Sequence, residues 1–271
     1  MQRPVIYQIV YNDEVIPNLD PGFARLDNTK NLRPDWREYW PIRNYLKNST
    51  LDESIYYGFF SPKFSEKTGL SSSEVYSFVE SVPDFYDVIL FSPFFDLSAF
   101  FRNTLIHCIS QHPNSLNAVL WAVGKLATST NINKIVTHSQ NNVYCNYFVA
   151  RPSFWLEWFN YCEVVWSEAE RGEGEISAAL KSAAIGHTSD APVKTFIIER
   201  MASLILSTTD RWRATSFSPL DLPFSSSKLA SQRNSLIRMD ALKIAYCQTK
   251  WQAYLDEHDR LVTEVLDKIN S

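Results

Sequence analysis

The sequence predicts an α/β fold: a mostly parallel, Rossmann-like sheet flanked by helices, followed by a C-terminal helical extension. Three observations carry this. Residues 52–96 alternate in pattern, with apolar runs at 55–60 and 88–91 enclosing a helical pattern at 71–81. Residues 4–11 (PVIYQIVY) are apolar at nearly every position, as in a strand buried on both faces. Residues 229–271 hold no Pro or Gly and carry Trp251, Tyr254, Leu255, His258, Val262, Val265, Leu266 and Ile269 as a helical stripe. The chain divides accordingly into an α/β domain over residues 1–222 and a helical extension over 223–271.

In chain order, Asn12-Asp13 closes the first strand and reads either as a turn or as a nucleotide contact. Residues 17–34 are loop-like. Pro34 opens a helix with Asp35 and Glu38 in its first turn, and Trp36, Tyr39, Trp40 and Arg43 share a face. Pro41 kinks that helix or marks its true start. Arg43 is either a phosphate ligand or a cation over a ring. Ser61-Pro62 and Ser92-Pro93 stop the two strands, because proline removes a ladder donor. Both corners lie at the carboxyl end of the sheet, where such sheets bind ligands, and so form the rim of the expected cleft. The helix at 71–81 has Ser at its start, Glu74 in the first turn, and Val75, Phe78 and Val79 on one face. Helices follow at 97–110 and 116–129, strands at 132–137 and 143–150, and an aromatic helix at 152–167. Residues 168–174 read as a charged loop. Ser189-Asp190 and Pro192 open a helix at 193–207, and a Ser/Thr/Pro linker spans 208–228. The tail packs on the domain as one or two helices, or forms a surface for homo-oligomers.

A net charge of −4 argues against nucleic acid as a partner. Neither a GxGxxG nor a P-loop is present, so those phosphate cradles are excluded. Eight Trp, 13 Tyr and 17 Phe suit a cleft that stacks on a nucleobase or sugar, and equally an ordinary core. Four Cys without a CxxC, and no secretory leader over residues 1–10, predict reduced thiols and a cytoplasmic location. No apolar run approaches the ~18 residues of a membrane span. Peripheral association at the inner membrane face stays open. The histidines have no metal-ligand spacing, and no GxSxG occurs. Carboxylates are more informative: Asp13, Asp27, Asp87 and Asp96 fall beside strand ends or in the facing loop. Transfer from a nucleotide sugar needs a slot for the base and a positive charge or metal for the diphosphate. An inverting enzyme also needs a carboxylate that deprotonates the acceptor. The usual Asp-x-Asp metal motif is absent. Asp96 is the nearest ligand for a divalent metal (Mn or Mg), or else the cap of the helix that follows it; Asp190 is a helix cap or a catalytic base.

The order of segments resembles the small GT-A-type glycosyltransferase domains of bacterial capsule and cell-surface polysaccharide synthesis. Asp27-Asn28-Thr29 is similar to their Asp-Asn-Thr-like loop. Arg37-Glu38-Tyr39-Trp40 with Arg43-Asn44 is similar to the helix that follows it. Residues 56–64 (YYGFFSPKF) resemble a strand reading Tyr-x-Gly-x-x-His-Tyr-Arg-Arg, and residues 87–90 resemble its Asp-Val-Ile-Leu strand. Residues 146–150, 154–159 and 195–201, the last with Glu199-Arg200 in place, are similar to a later strand, an aromatic helix and a Glu-Arg helix. The likeness runs from about residue 5 to 207. In place of His-Tyr-Arg-Arg stands Ser-Pro-Lys-Phe, leaving Lys63 as the cation and pointing to a different sugar or to lost activity.

The resemblance implies a glycosyltransferase. Its donor is a nucleoside-diphosphate sugar; its acceptor is a surface polysaccharide, a lipopolysaccharide precursor or another lipid-linked glycan. Tyr7, Asn12 and Asp13 would bind the nucleotide, and Asp27 and Asn28 would line the donor pocket. Lys63 and Arg43 would offset diphosphate charge. Asp96, Asp190 and Glu199 would be catalytic, with Asp96 also the metal ligand, and Arg200 beside Glu199 would order the site. Glu199 and Arg200 are adjacent on a helix and so should have different partners. The alternative is a catalytically inactive GT-A-like scaffold or interaction protein of a polysaccharide locus. A nucleotidyltransferase would need a Gly-rich, Lys-bearing loop that residues 12–20 lack.

Overall fold

The apolar runs build a six-stranded sheet in this computed structural model, which describes residues 3–187 and 190–270. Its strands are β1 (Val5–Val10), β2 (Ala24–Asp27), β3 (Tyr57–Phe60), β4 (Val88–Leu90), β5 (Phe148–Ala150) and β6 (Ala214–Ser216), in the order β2-β1-β3-β5-β4-β6. Every pairing is parallel except those of β5, which runs antiparallel between β3 and β4. The expected strand–helix–strand unit therefore exists with its two strands running the same way, but not as neighbours.

Thirteen helices of α type are present among the described residues. The first six are α1 (Tyr39–Asn48), α2 (Phe64–Thr68), α3 (Ser72–Ser81), α4 (Phe95–Phe100), α5 (Thr104–Gln111) and α6 (Leu116–Leu126). After β5 come α7 (Pro152–Glu170), α8 (Gly174–Lys181), α9 (Val193–Ile198) and α10 (Met201–Thr208). The chain ends with α11 (Ser227–Ala230), α12 (Arg233–Thr249) and α13 (Gln252–Asn270). Period-two alternation sends strand side chains into two cores. Ile9, Phe59, Val88, Leu90 and Phe148 meet α1 and α5 to α10 on one face. Ile6, Phe60, Ile89 and Val149 meet Phe64 of α2 and Val75 and Val79 of α3 on the other. Two covered faces make three layers, which explains why the strands read as continuous apolar runs.

Several boundaries differ from the sequence reading, each for a local reason. Residues 34–36 form a short 3-10 turn and α1 begins at Tyr39, so Pro41 sits in the first turn, where its missing N–H costs nothing. Helix 97–110 is split by Asn103, whose side chain caps α5 by accepting from the Leu105 and Ile106 amides at 3.0 and 2.8 Å. The same amide donates to the carbonyls of Ile132 and Ile135, so residues 132–137 are a tethered loop rather than a strand. Only the last three residues of 143–150 pair, because Cys145 and Asn146 are left-handed at φ 60° and 55°. Helix 193–207 breaks at Glu199–Arg200. Its cap is Pro192, while Asp190 is exposed two positions earlier and Ser189 lies outside the described residues. Helix α3 stands as expected, with a capping box between Ser71 and Glu74. Helix α7 runs on to Glu170, so the loop expected over 168–174 is confined to 171–173, and β6 lies in the expected linker.

The tail packs back on the domain. Leu236, Met239, Leu261 and Val265 bury against Phe95 and Ala99 of α4. Polar ties accompany them: Asp240 accepts from the Ser139 amide at 2.8 Å, and Lys243 donates to the carbonyls of Ser98 and Phe101. Among the described residues no helix is long and apolar enough to cross a membrane.

Candidate functional site

The chain leaves β1 for β2 on one side and returns to β3 on the other, so connections diverge between β1 and β3. In a parallel sheet that divergence leaves a crevice beyond the carboxyl ends, the recurrent place for a ligand. A cavity of about 690 Å³ opens there. Tyr11, Val15 and Asn18 line it from the segment after β1; Asn31, Pro34, Arg37 and Glu38 from the approach to α1; and Ser61, Pro62, Lys63 and Glu66 from the corner after β3.

Local structure explains each wall. Asn12 caps the 3-10 turn Asp13–Asn18 by accepting from the Val15 amide at 3.2 Å, which turns Val15 and Asn18 toward the cavity. Buried Asn28 donates its amide to the Val10 carbonyl at 2.8 Å and its side-chain N–H to Asn31 Oδ1 at 3.3 Å. Trp36 and Tyr39 are both buried and tied to α7: Trp36 Nε1 donates to Glu170 at 3.0 Å and Tyr39 Oη to Glu163 at 2.6 Å. Between these anchors, Arg37 adopts φ 47° and the pair Arg37-Glu38 turns out to the cavity. A bulky residue in that region is strained, which is informative where it occurs beside a cleft. Glu38 is also the N-cap of α1. At the far wall, Gln8 donates to the carbonyls of Ser61 and Pro62 at 3.3 and 3.4 Å, and Ser61 Oγ bonds Tyr147 Oη at 2.6 Å.

Arg37 and Lys63 form no ion pair among the described residues, and the carboxyl groups of Glu38 and Glu66 lie on the same walls of the cavity. Behind its wall is a charged cluster. Lys67 Nζ donates to Cys145 Sγ at 3.2 Å, and Glu199 pairs with Arg200 at 2.6 Å. Burial, then the charge of Glu199, raises Glu38 above the ordinary carboxyl range. Burial alone would lower Lys67, but Cys145, Glu199 and Glu38 carry it upward. Burial pushes the Cys145 thiol up to about 11. Burial opposes the charge of Arg200 too, yet Cys108, Glu199 and Tyr144 hold it high. Asn146 Oδ1 and Arg200 Nε are buried without a hydrogen-bond partner among the described residues.

The expected site residues divide. Lys63 lines the cavity; Asn12, Asp13 and Asn28 stand one step behind it, shaping the residues that do. Glu199 and Arg200 pair with each other rather than with different partners, within electrostatic reach of Glu38. Asp27 is exposed and holds the turn at Thr29, accepting from its amide at 2.9 Å. Tyr7 points the other way, bonding Tyr45 at 3.0 Å and stacking on Phe59. Arg43 is committed to Glu163 and lies 4.0 Å over the Trp166 ring. Asp190 is exposed outside the cavity lining. Asp96 is fully buried in α4, where its oxygens accept from the Ser225 amide and hydroxyl and the Ser226 amide. It is neither the cap of its own helix, a place taken by Phe94, nor available as a metal ligand. Among the described residues no three His, Cys, Asp or Glu side chains are grouped to hold a metal ion.

Tyr11, Arg37, Glu38 and Glu66 line the cavity and Lys67 stands behind its wall, and the sequence alone assigns none of them to the candidate site. One signal was present: a charged pair set between two aromatics, Trp36 and Tyr39, that helical spacing places on the core. The chain matches no family model, no curated protein and no solved structure.

Proposed function

We propose that this chain is a GT-A-type glycosyltransferase that takes a sugar from a nucleoside diphosphate and passes it to a surface glycan or lipid-linked acceptor. The observation that carries the reading is the cavity at the β1/β3 divergence with two unpaired cations on it. Its volume of about 690 Å³ falls within the range of sites that enclose a small molecule. In such a transfer the anomeric carbon leaves a diphosphate, whose growing negative charge needs preorganised positive charge. Arg37 and Lys63 supply it from two walls. Tyr11, Pro34 and Pro62 give flat apolar surface for a base or sugar ring, and Asn18, Asn31 and Glu66 give acceptors and donors for hydroxyls. Asp96 is committed to Ser225 and Ser226 and does not fit a metal.

Calorimetry with uridine, guanosine, cytidine, adenosine and thymidine diphosphates, with and without manganese, tests the reading. Binding of at least one, weakened about tenfold or more by Lys63→Ala, is the expected result, since a charge-assisted contact contributes about 1.5–3 kcal/mol. Binding of none contradicts it.

A further inference from the structure

Glu38 is the cavity's one carboxyl group that is both withdrawn from water and within reach of a second carboxylate. It follows the left-handed Arg37 and is pinned on either side by buried Trp36 and Tyr39. Tyr11 adjoins it from the end of β1, and Lys67 of α2, Tyr147 ahead of β5 and Glu199 at the break between α9 and α10 lie within electrostatic reach. Arg37 adjoins it in the chain, and Lys63 and Glu66 share the cavity. The buried Tyr11 hydroxyl donates to the Glu38 carboxyl group. Glu199 is occupied by Arg200 at 2.6 Å, whereas Glu38 forms no ion pair among the described residues. Of the two carboxyl groups, the one on the cavity carries no ion pair and is placed to exchange a proton with a bound molecule.

We infer that Glu38 is the general base of the site: its carboxylate takes the proton of the acceptor hydroxyl. The inference rests on the sugar-transfer reading above. The acceptor O–H bond breaks toward Glu38, and the oxygen's electron pair forms the new bond to the anomeric carbon. The bond from that carbon to the diphosphate breaks, its electrons leaving on the phosphate oxygen. Glu38 ends protonated and returns the proton to water.

The surroundings set the sign of the pH dependence. Burial and Glu199 raise the proton affinity of Glu38; hydrogen bonds from its own backbone and from Tyr11, and the charge of Lys67, lower it. A base poised closer to neutrality than an ordinary carboxylate is the efficient one. Turnover then rises with pH as Glu38 loses its proton. Removing the Glu199 charge moves that acid limb to lower pH; removing the Lys67 charge moves it to higher pH.

Wild type, Glu38→Gln, Glu199→Gln and Lys67→Met are compared by calorimetry with nucleoside diphosphates. Sugar release from the matching nucleoside-diphosphate sugars, to water or to acceptor, is followed across roughly pH 5–9. Glu38→Gln should bind nucleotide within about threefold of wild type yet lose about 100-fold or more in turnover, together with the acid limb. The two neighbouring variants should shift the limb in opposite directions, and they carry the test should Glu38→Gln not fold. Turnover of Glu38→Gln within about tenfold of wild type with an unmoved limb overturns the inference. Nucleotide binding without sugar release from any donor overturns it while leaving the binding site standing. No nucleotide binding at all removes the sugar-transfer reading and the base with it.

Discussion

Lys63 and Arg43 show how surroundings give two cations opposite tasks. Arg43 donates to both oxygens of Glu163, at 2.6 and 2.9 Å, and lies flat over Trp166. Such a forked, stacked and mostly buried guanidinium holds α1 to α7. Lys63 is exposed on the cavity and forms no ion pair among the described residues. Arg43→Ala should lower unfolding free energy by about 2–3 kcal/mol, read by urea melts, with nucleotide affinity unchanged. Lys63→Ala should do the reverse, changing stability by under about 0.5 kcal/mol. Equal losses of affinity in both would contradict this division. Lys63 was legible because a Ser-Pro corner marks where a strand stops. Arg37 and Glu38 were not, because their outward turn needs φ 47° at Arg37. That conformation is imposed by Trp36 and Tyr39 anchoring on Glu170 and Glu163, more than 120 residues away in sequence, and no local pattern records it.

Elements were legible where a local device sets them. The capping box of α3, the Pro at the start of α7 and the double-faced apolar strands are written in neighbouring residues. Strand β6 was not, since Ala214-Thr215-Ser216 has no strand composition and pairs only because β4 offers a free edge. Asp96 belongs to the same lesson. It looked like a site carboxylate beyond a strand end, but it ties α4 to residues 225–226 just ahead of α11. Removing it takes the shared acceptor from the Ser225 and Ser226 amides and the Ser225 hydroxyl at a part-buried joint. Asp96→Ala should therefore cost about 3 kcal/mol and speed hydrogen exchange in α11, α12 and α13, while nucleotide affinity stays within about twofold. Loss of nucleotide binding with an undisturbed tail would return Asp96 to the site.

At the scale of the whole molecule, the layered α/β architecture followed from burial patterns, but the strand order did not. Placing β5 antiparallel between β3 and β4 depends on which edges α4 to α7 leave open, a tertiary outcome. That order matters, because it puts the divergence of connections between β1 and β3 and hence the cavity beside Lys63. The central claim is that this cavity is the diphosphate site. Hydrogen–deuterium exchange of the full chain, with and without a saturating nucleoside diphosphate, tests it most directly. The account predicts slower exchange in residues 11–18, 31–39 and 61–67, with little change elsewhere. Protection confined to other segments, or none at all, would contradict it.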